Sequence, residues 1–305
     1  MKPHNPPAAV PSTAHSKGTP GAAGKITLRP MTLQDIHFGL ELSLAAGWNQ
    51  AEADWTMLLE QSALGSFIAC MNGVNAGTVT TITYPERFSW VGMLLVVPEF
   101  RRLGIGTALL GAAIEALRDK GAICLDATPE GKKLYATLGF QEVYRLTRWL
   151  RKPAPLVIQP GSGCLPLRSG IFPAILQYDF PVFGADRSRI LSALQGSAPP
   201  LAFYAERGGK VAGFCMGRFG SRYAHIGPVL ADSLDVGRDL VLTALQSSAP
   251  RAVIIDTTFH QPGWNELLHH LGFEEQRPFI RMSLGEFTLP AQHHKQLAIA
   301  GPEIG

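Results

Sequence analysis

No apolar run in this sequence approaches the ~20 residues a membrane-spanning helix requires, and no membrane association is expected. The first residues also lack the apolar core of at least ~7 residues that marks a signal peptide. Cysteine is scarce: Cys70, Cys124, Cys164 and Cys215 are the full set, and their spacing fits no metal site. Three of them, Cys70, Cys124 and Cys215, fall inside expected strands. That placement suits buried free thiols better than disulfides and a reducing cytoplasm better than an oxidising compartment. An excess of one charge is missing as well. With 27 Lys and Arg against 24 Asp and Glu, the net charge is +3 and both signs are interspersed, which argues against a nucleic-acid partner. The P-loop pattern Gly-x-x-x-x-Gly-Lys-Ser/Thr and the dinucleotide pattern Gly-x-Gly-x-x-Gly are both absent.

What is present is ample core material. Apolar residues make up 46% of 305 residues, enough for two domains of about 150 residues each. The most informative stretch is 90–117. An apolar run over 91–97 ends at Pro98, as a buried strand would. A basic, glycine-containing turn follows, Arg101-Arg102-Leu103-Gly104-Ile105-Gly106, and then a helix with Ile105, Leu109, Ala113 and Ala116 on one apolar face. The first N–H groups of a helix have no partner inside it and attract negative charge. Gly104 and Gly106 let an anion approach the backbone, and Arg101 and Arg102 can pair with phosphate oxygens. A Gly-x-Gly at a helix start is also compatible with an ordinary tight turn, so the surrounding elements decide.

Along the chain, residues 1–24 are rich in Pro, Ala, Gly, Ser and Thr and read as a disordered tail. A strand is expected over 26–29. A helix starting at a Thr32 cap should turn Ile36, Leu40 and Leu44 inward, and a second should be capped by Asn49 and run to about Gln61. Strands follow near 66–71 and 77–83, then the central strand and helix, a strand over 122–126, and a helix carrying Leu134, Tyr135 and Leu138 that ends at Gly139. A last strand over 141–150 leads to Lys152-Pro153-Ala154-Pro155, a proline-stiffened linker.

Arg101-x-x-Gly104-x-Gly106 after a Val-Val-Pro strand end, the order β-α-α-β-β-β-α-β-α-β, and Leu134-Tyr135-x-x-x-Gly139-Phe140 together resemble the GCN5-related N-acetyltransferases (GNAT). The string from Asp126 to Tyr135, with Ala46-Gly47-Trp48-Asn49, resembles a bacterial subgroup with a second domain of the same type. One departure stands out: Thr128 lies seven residues before the tyrosine, where many relatives carry Asn. The second half repeats the first. Residues 254–258 echo 124–128, residues 267–273 echo 134–140, and Leu167-Arg168 echoes Leu28-Arg29. Shifting by the spacing of the two Gly-Phe pairs puts Leu268 at Tyr135, Asp235 at Arg102 and Asp239 at Gly106. Carboxylates on a helix start would repel a pyrophosphate.

The resemblance implies an α/β (α+β) chain of two tandem GNAT folds, each a mixed, mostly antiparallel sheet flanked by helices. The division is an N-terminal tail to 24, a catalytic domain over 25–151, a linker over 152–164, a degenerate domain over 165–288 and a C-terminal tail over 289–305. It implies N-acetyl transfer from acetyl-CoA, as co-substrate and without a metal, to a primary amine of a small molecule or peptide. Attack would be direct, in a ternary complex. Leu95, Val96, Val97, Arg101, Arg102, Leu103, Gly104, Ile105, Gly106 and Thr107 would bind the cofactor. Tyr135 would be the general acid, because a phenol is a neutral donor at pH 7; packing against Phe140 is the structural alternative. Asp126 is a candidate base, beside Glu99, Glu130 and a water relay. Trp48 and Asn49, flanked by Asp54 and Trp55, would border the acceptor. A non-enzymatic acetyl-CoA-binding module is the reading from another class, and a homodimer is compatible with either.

Overall fold

In the computed structural model, which describes residues 24–62, 64–156, 158–161, 163–258 and 262–305, the first half runs β1 (Ile26–Pro30), α1 (Ile36–Ala45), α2 (Glu52–Gln61), β2 (Phe67–Met71), β3 (Val74–Tyr84), β4 (Phe88–Val96), α3 (Ile105–Ala116), β5 (Ala122–Ala127), α4 (Lys132–Thr137) and β6 (Gln141–Arg151). This is the expected order, element for element. Apart from Gly24, the expected N-terminal tail lies outside the described residues. The second half repeats the plan: β7 (Cys164–Pro166), α5 (Phe172–Phe183), α6 (Ser188–Ser197), β8 (Phe203–Arg207), β9 (Lys210–Phe219), β10 (Ala224–Ala231), α7 (Leu234–Ser248), β11 (Val253–Thr258), α8 (Pro262–His270) and β12 (Glu274–Leu284), with one addition, β13 (Gln296–Ala298).

The halves are not separate sheets. Among the described residues, 13 strands form one sheet in the order β1-β2-β3-β4-β5-β12-β6-β11-β13-β10-β9-β8-β7. Each half gives its last long strand to the other. Strand β12 lies between β5 and β6, and β6 lies between β12 and β11, all antiparallel. A boundary at 151 or 165 therefore divides the sequence without dividing the sheet.

The segment expected as a C-terminal tail over 289–305 is folded inside. Residues 296–301 and 303–305 are buried. Strand β13 pairs with both β10 and β11, and the turn after it reaches into the first half, where Trp90 Nε1 donates to Pro302 O at 2.9 Å and the Tyr84 hydroxyl to Ile304 O at 2.5 Å. The apolar character of Leu297, Ala298, Ile299, Ala300 and Ile304 is the physical reason: exposing them as a tail forfeits their burial.

Helix α1 packs Ile36 and Leu40 against the core as expected and departs from expectation at Leu44. Gly39, Leu42 and Ser43 face inward and Leu44 is exposed. The cause is Trp55 of α2, fully buried, whose ring lies where a Cβ on Gly39 would be and whose Nε1 donates to Ser43 Oγ at 3.1 Å. The larger residue sets which face of its neighbour can approach. Helix α3 keeps the expected stripe: Ile105, Leu109 and Ala113 are buried against β2, β3 and β4.

One irregularity in β4 shapes the site. Thr78 is opposite Leu95 and Thr80 is opposite Gly92, so Met93 and Leu94 together face Val79. This β-bulge puts Met93 at φ 49, and Thr78 Oγ1 secures it with a 2.8 Å bond to Met93 O. Strand β4 pairs with β5 in parallel only over residues 88–90 with 122–124. Beyond Trp90 the two strands part.

Candidate active site

The gap left where β4 and β5 part is a cavity of about 750 Å³. Its long wall is residues 91–96 of β4, whose edge toward β5 has no ladder partner there. Its far end is the turn into α3. Arg101, Arg102, Gly104, Ile105, Gly106 and Thr107 line it. Gly104 caps α3 in the left-handed region at φ 85, and Arg102 is also left-handed at φ 63. Two left-handed residues so close fold the chain back over the helix start. Among the described residues no amide of Arg102, Leu103 or Gly104 donates to another group, and those of Ile105, Gly106 and Thr107 lack intrahelical acceptors by helix geometry. The result is a run of free N–H groups with exposed arginines beside it. Leu103 and Val97, expected among the cofactor contacts, stand outside this wall: Leu103 points to solvent and Val97 donates its amide to Ala76 O. Arg101 reaches back, with Nε 3.2 Å from Val96 O.

Tyr135 lines the cavity from α4. Its ring meets Phe140 edge-on at 6.0 Å, so the packing role is real, yet its hydroxyl has no partner among the described residues. Burial pushes the phenol up to about 12, which keeps it protonated at neutral pH. Thr128, in the place where many relatives carry Asn, lies on the same rim and accepts from Gly131 N at 3.2 Å.

Two expected site residues have other work. Asp126 reaches the cavity wall, but both carboxylate oxygens accept from Arg281 of β12 at 2.8 Å, and the side chain is fully buried. Burial raises its pKa against the pull of Arg281. The same pair recurs in the other half: Asp256 of β11 accepts from Arg148 of β6 at 2.7 Å through each oxygen. Burial alone would raise Asp256, but Arg148 and His225 hold it well below the carboxylate range. In both halves the aspartate lies directly opposite the arginine in the strand register. Because the pair repeats where Tyr135 has no counterpart, the aspartate joins the exchanged strands in both halves, and Asp126 spends both oxygens on Arg281.

Asn49 is the second correction. It does not cap α2; that N-terminus is held by Asp54, whose Oδ2 accepts from Ala51 N at 2.7 Å. Asn49 is buried, accepts from the amides of Arg222 and Tyr223 at 3.0 and 2.9 Å, and donates to Tyr223 O. Both side-chain polar atoms are used in clamping the halves together. Trp48 does line the cavity, with Gln50 beside it, whereas Trp55 is core. Asp54 pairs with Arg218 at 3.0 Å, and burial raises its carboxyl to about 6 against that pull.

Several cavity residues were not legible beforehand. Arg148, Arg277, Phe279, Pro302 and Glu303 line the side away from α3. Glu303 rests on β4 at Gly92, where a Cβ would come 2.9 Å from Glu303 O, and it ion-pairs with Arg218. No local motif marks these residues, since strand exchange and the buried C-terminal segment bring them in.

At the matching place in the second half, among the described residues, the gap is filled. Strand β10 leaves β11 after Ile226, but β13 enters between them, opposite Val229 and Leu230 on one side and Thr257 on the other. Helix α7 is capped by Ser233, and its first turn holds Asp235, which pairs with Arg238. Matching the two helix caps places Asp235 at Gly106 and Asp239 at Leu110, which corrects the alignment taken from the Gly-Phe spacing. Leu268 does stand at Tyr135: Phe140 N donates to Tyr135 O and Phe273 N donates to Leu268 O.

Known proteins match both halves. The acetyltransferase (GNAT) family model matches residues 35–140, and a second acetyltransferase (GNAT) domain model matches residues 175–298. The chain is 25% identical to a holothin acyltransferase of Pseudoalteromonas sp. (strain SANK 73390) over 92% of its own length and 94% of that protein. A putative acetyltransferase from Pyrococcus horikoshii has the same fold, with TM-score 0.77, 23% identity, and coverage of 96% of this chain and 100% of that one. So has a tandem GNAT protein from the clavulanic acid biosynthesis pathway, with TM-score 0.63, 16% identity and coverage of 85% and 98%.

Proposed function

This chain belongs to the GNAT acetyltransferases as a tandem protein, an acyl-transfer family, and from that premise we propose that it moves the acetyl group of acetyl-CoA to a primary amine in the first-half cleft. The observation that carries the reading is the continuity of the cleft: free amides and arginines at one end, an unpaired strand edge along the wall, and a protonated phenol facing in.

The α3 turn holds the pyrophosphate through the amides of residues 102–107 and through Arg102. The open edge of β4 takes the pantetheine arm as an added strand. The amine lone pair attacks the thioester carbonyl carbon and the C–S bond breaks. Tyr135 gives its proton to the departing sulfur, and the proton lost by the amine leaves at the cleft rim, where Glu130 is exposed. Trp48, Gln50 and the second-half residues border the acceptor. The amine attacks directly in a ternary complex; among the described residues no cysteine lines the cleft to take the acyl group first.

The test is thiol release from acetyl-CoA across a panel of primary amines. Turnover with at least one amine is expected, at one acetyl-CoA bound per chain. Tight binding of acetyl-CoA with no turnover for any amine would instead favour a non-enzymatic binding module.

A further inference from the structure

Four arginines meet where the two halves join, and three have carboxylates. Arg281 has Asp126, Arg148 has Asp256, and Arg218 has Asp54 and Glu303. The fourth, Arg277 of β12, lines the cleft and has no ion-pair or hydrogen-bond partner among the described residues. Its Nε is buried and unsatisfied. The guanidinium stacks over Phe279 at 4.8 Å, and that ring also carries Arg148 at 5.1 Å. Burial and the neighbouring Arg148 bring its pKa down to about 10, while Asp256, Glu130 and Glu303 act the other way. It is therefore charged at neutral pH. A half-buried guanidinium without a partner is costly, and its fork geometry fits a carboxylate.

A complementary charge stands across the cleft. Glu303 uses Oε1 for Arg218, which leaves Oε2 outside that ion pair. It lies over β4 at the edge of the bulge, whereas Arg277 stands on β12, with β5 between the two strands. The cleft thus offers one group that accepts cations and one that accepts anions.

Resting on the acetyl-transfer reading, we infer that the acceptor is an amine that also carries a carboxylate: its ammonium docks on Glu303 and its carboxylate on Arg277. Glu303 lies over β4 and Arg277 stands on β12, with the gap where β4 and β5 part between them, so the amine and carboxylate are expected several bonds apart.

The experiment uses the full chain, acetyl-CoA and two matched series: ω-amino carboxylates from glycine to 6-aminohexanoate, and the corresponding carboxamides. The carboxylates should exceed their amides in kcat/KM by about tenfold or more, the range for a charge-assisted pair, with the longer members favoured. In Arg277→Gln that ratio should fall to about one while calorimetric affinity for acetyl-CoA is retained, and Arg277→Lys should restore part of it. Equal rates for the two series, or an unchanged ratio in Arg277→Gln, overturns the inference and leaves acetyl transfer standing. So does loss of acetyl-CoA affinity in Arg277→Gln, which would assign the guanidinium to the cofactor. Bound acetyl-CoA with no turnover in either series also overturns it. Absence of acetyl-CoA binding by the unaltered chain overturns the transferase reading itself.

Discussion

At the same point in the two halves the chain does opposite things. Past Trp90, strand β4 loses its neighbour and a cleft opens. Past Ile226, strand β10 also loses its neighbour, but β13 fills the space from within the chain. A buried strand edge needs hydrogen-bond partners. The second half finds them internally; in the proposed reaction the first half takes them from acetyl-CoA. The two copies thus differ in the occupancy of one sheet edge as much as in side chains. Leu268 for Tyr135 and Asp235 for Gly106 then remove the proton donor and the anion site from a place already closed.

The exchanged strands offer the most forceful way to break the comparison. Removing one partner of a buried ion pair leaves an uncompensated charge and costs about 3–5 kcal/mol. Arg281→Met and Arg148→Met should each lower unfolding stability by that order, read by denaturant titration, because both pairs do the same work. If Asp126→Asn left stability intact and reduced only kcat, the equivalence of the halves would fail at this point and Asp126 would return as a base. Ending the chain at 151 removes β12 from between β5 and β6, so the expected product is insoluble protein.

Next in size is the conversion of the first half toward the second. Gly106→Asp puts a carboxylate where α7 has Asp235, and acetyl-CoA affinity should fall about 100-fold or more, roughly 2.7 kcal/mol. The reverse change, Asp235→Gly, should not create a second site, since β13 still fills the gap. Calorimetry should return one acetyl-CoA per chain in both the parent and Asp235→Gly; a stoichiometry of two would show that charge, not β13, closes the second half.

Tyr135→Phe should reduce kcat by about 10²-fold with little change in the acetyl-CoA KM. Full kcat in that variant would leave Tyr135 a packing residue like Leu268. The smallest expected effect is none at all. With the phenol pushed up to about 12 by burial, the proton is held in the unaltered chain throughout pH 7–10, so kcat should show no break from Tyr135 there. A break in that range that disappears in Tyr135→Phe would mean the ring is more exposed than its packing implies.

Much of this could be read in the chain beforehand. The element order, the tandem repeat, the helix-start turn at residues 101–107 and the placing of Tyr135 rest on signals spanning a few residues: apolar periodicity, Gly104 in a left-handed turn, and a Gly-Phe helix end. Short-range chemistry fixes such features whatever surrounds them. The inward face of α1 was read at Ile36 and Leu40 but missed at Leu42, Ser43 and Leu44, where Trp55 on another helix sets the packing.

The rest belongs to the tertiary structure alone. Arg148 meets Asp256 across 108 positions and Arg281 meets Asp126 across 155. Asn49 clamps a loop 173 to 174 positions away. Whether a polar residue is free for chemistry depends on whether the fold brings it a partner. For Asp126 and Asn49 the exchanged strands and the facing loop did, and for Arg277 they did not. An acid, an amide and a guanidinium look alike in a sequence whether paired or free. The pairing of distant strands separates them, because burial makes an unmet charge too costly to leave to chance.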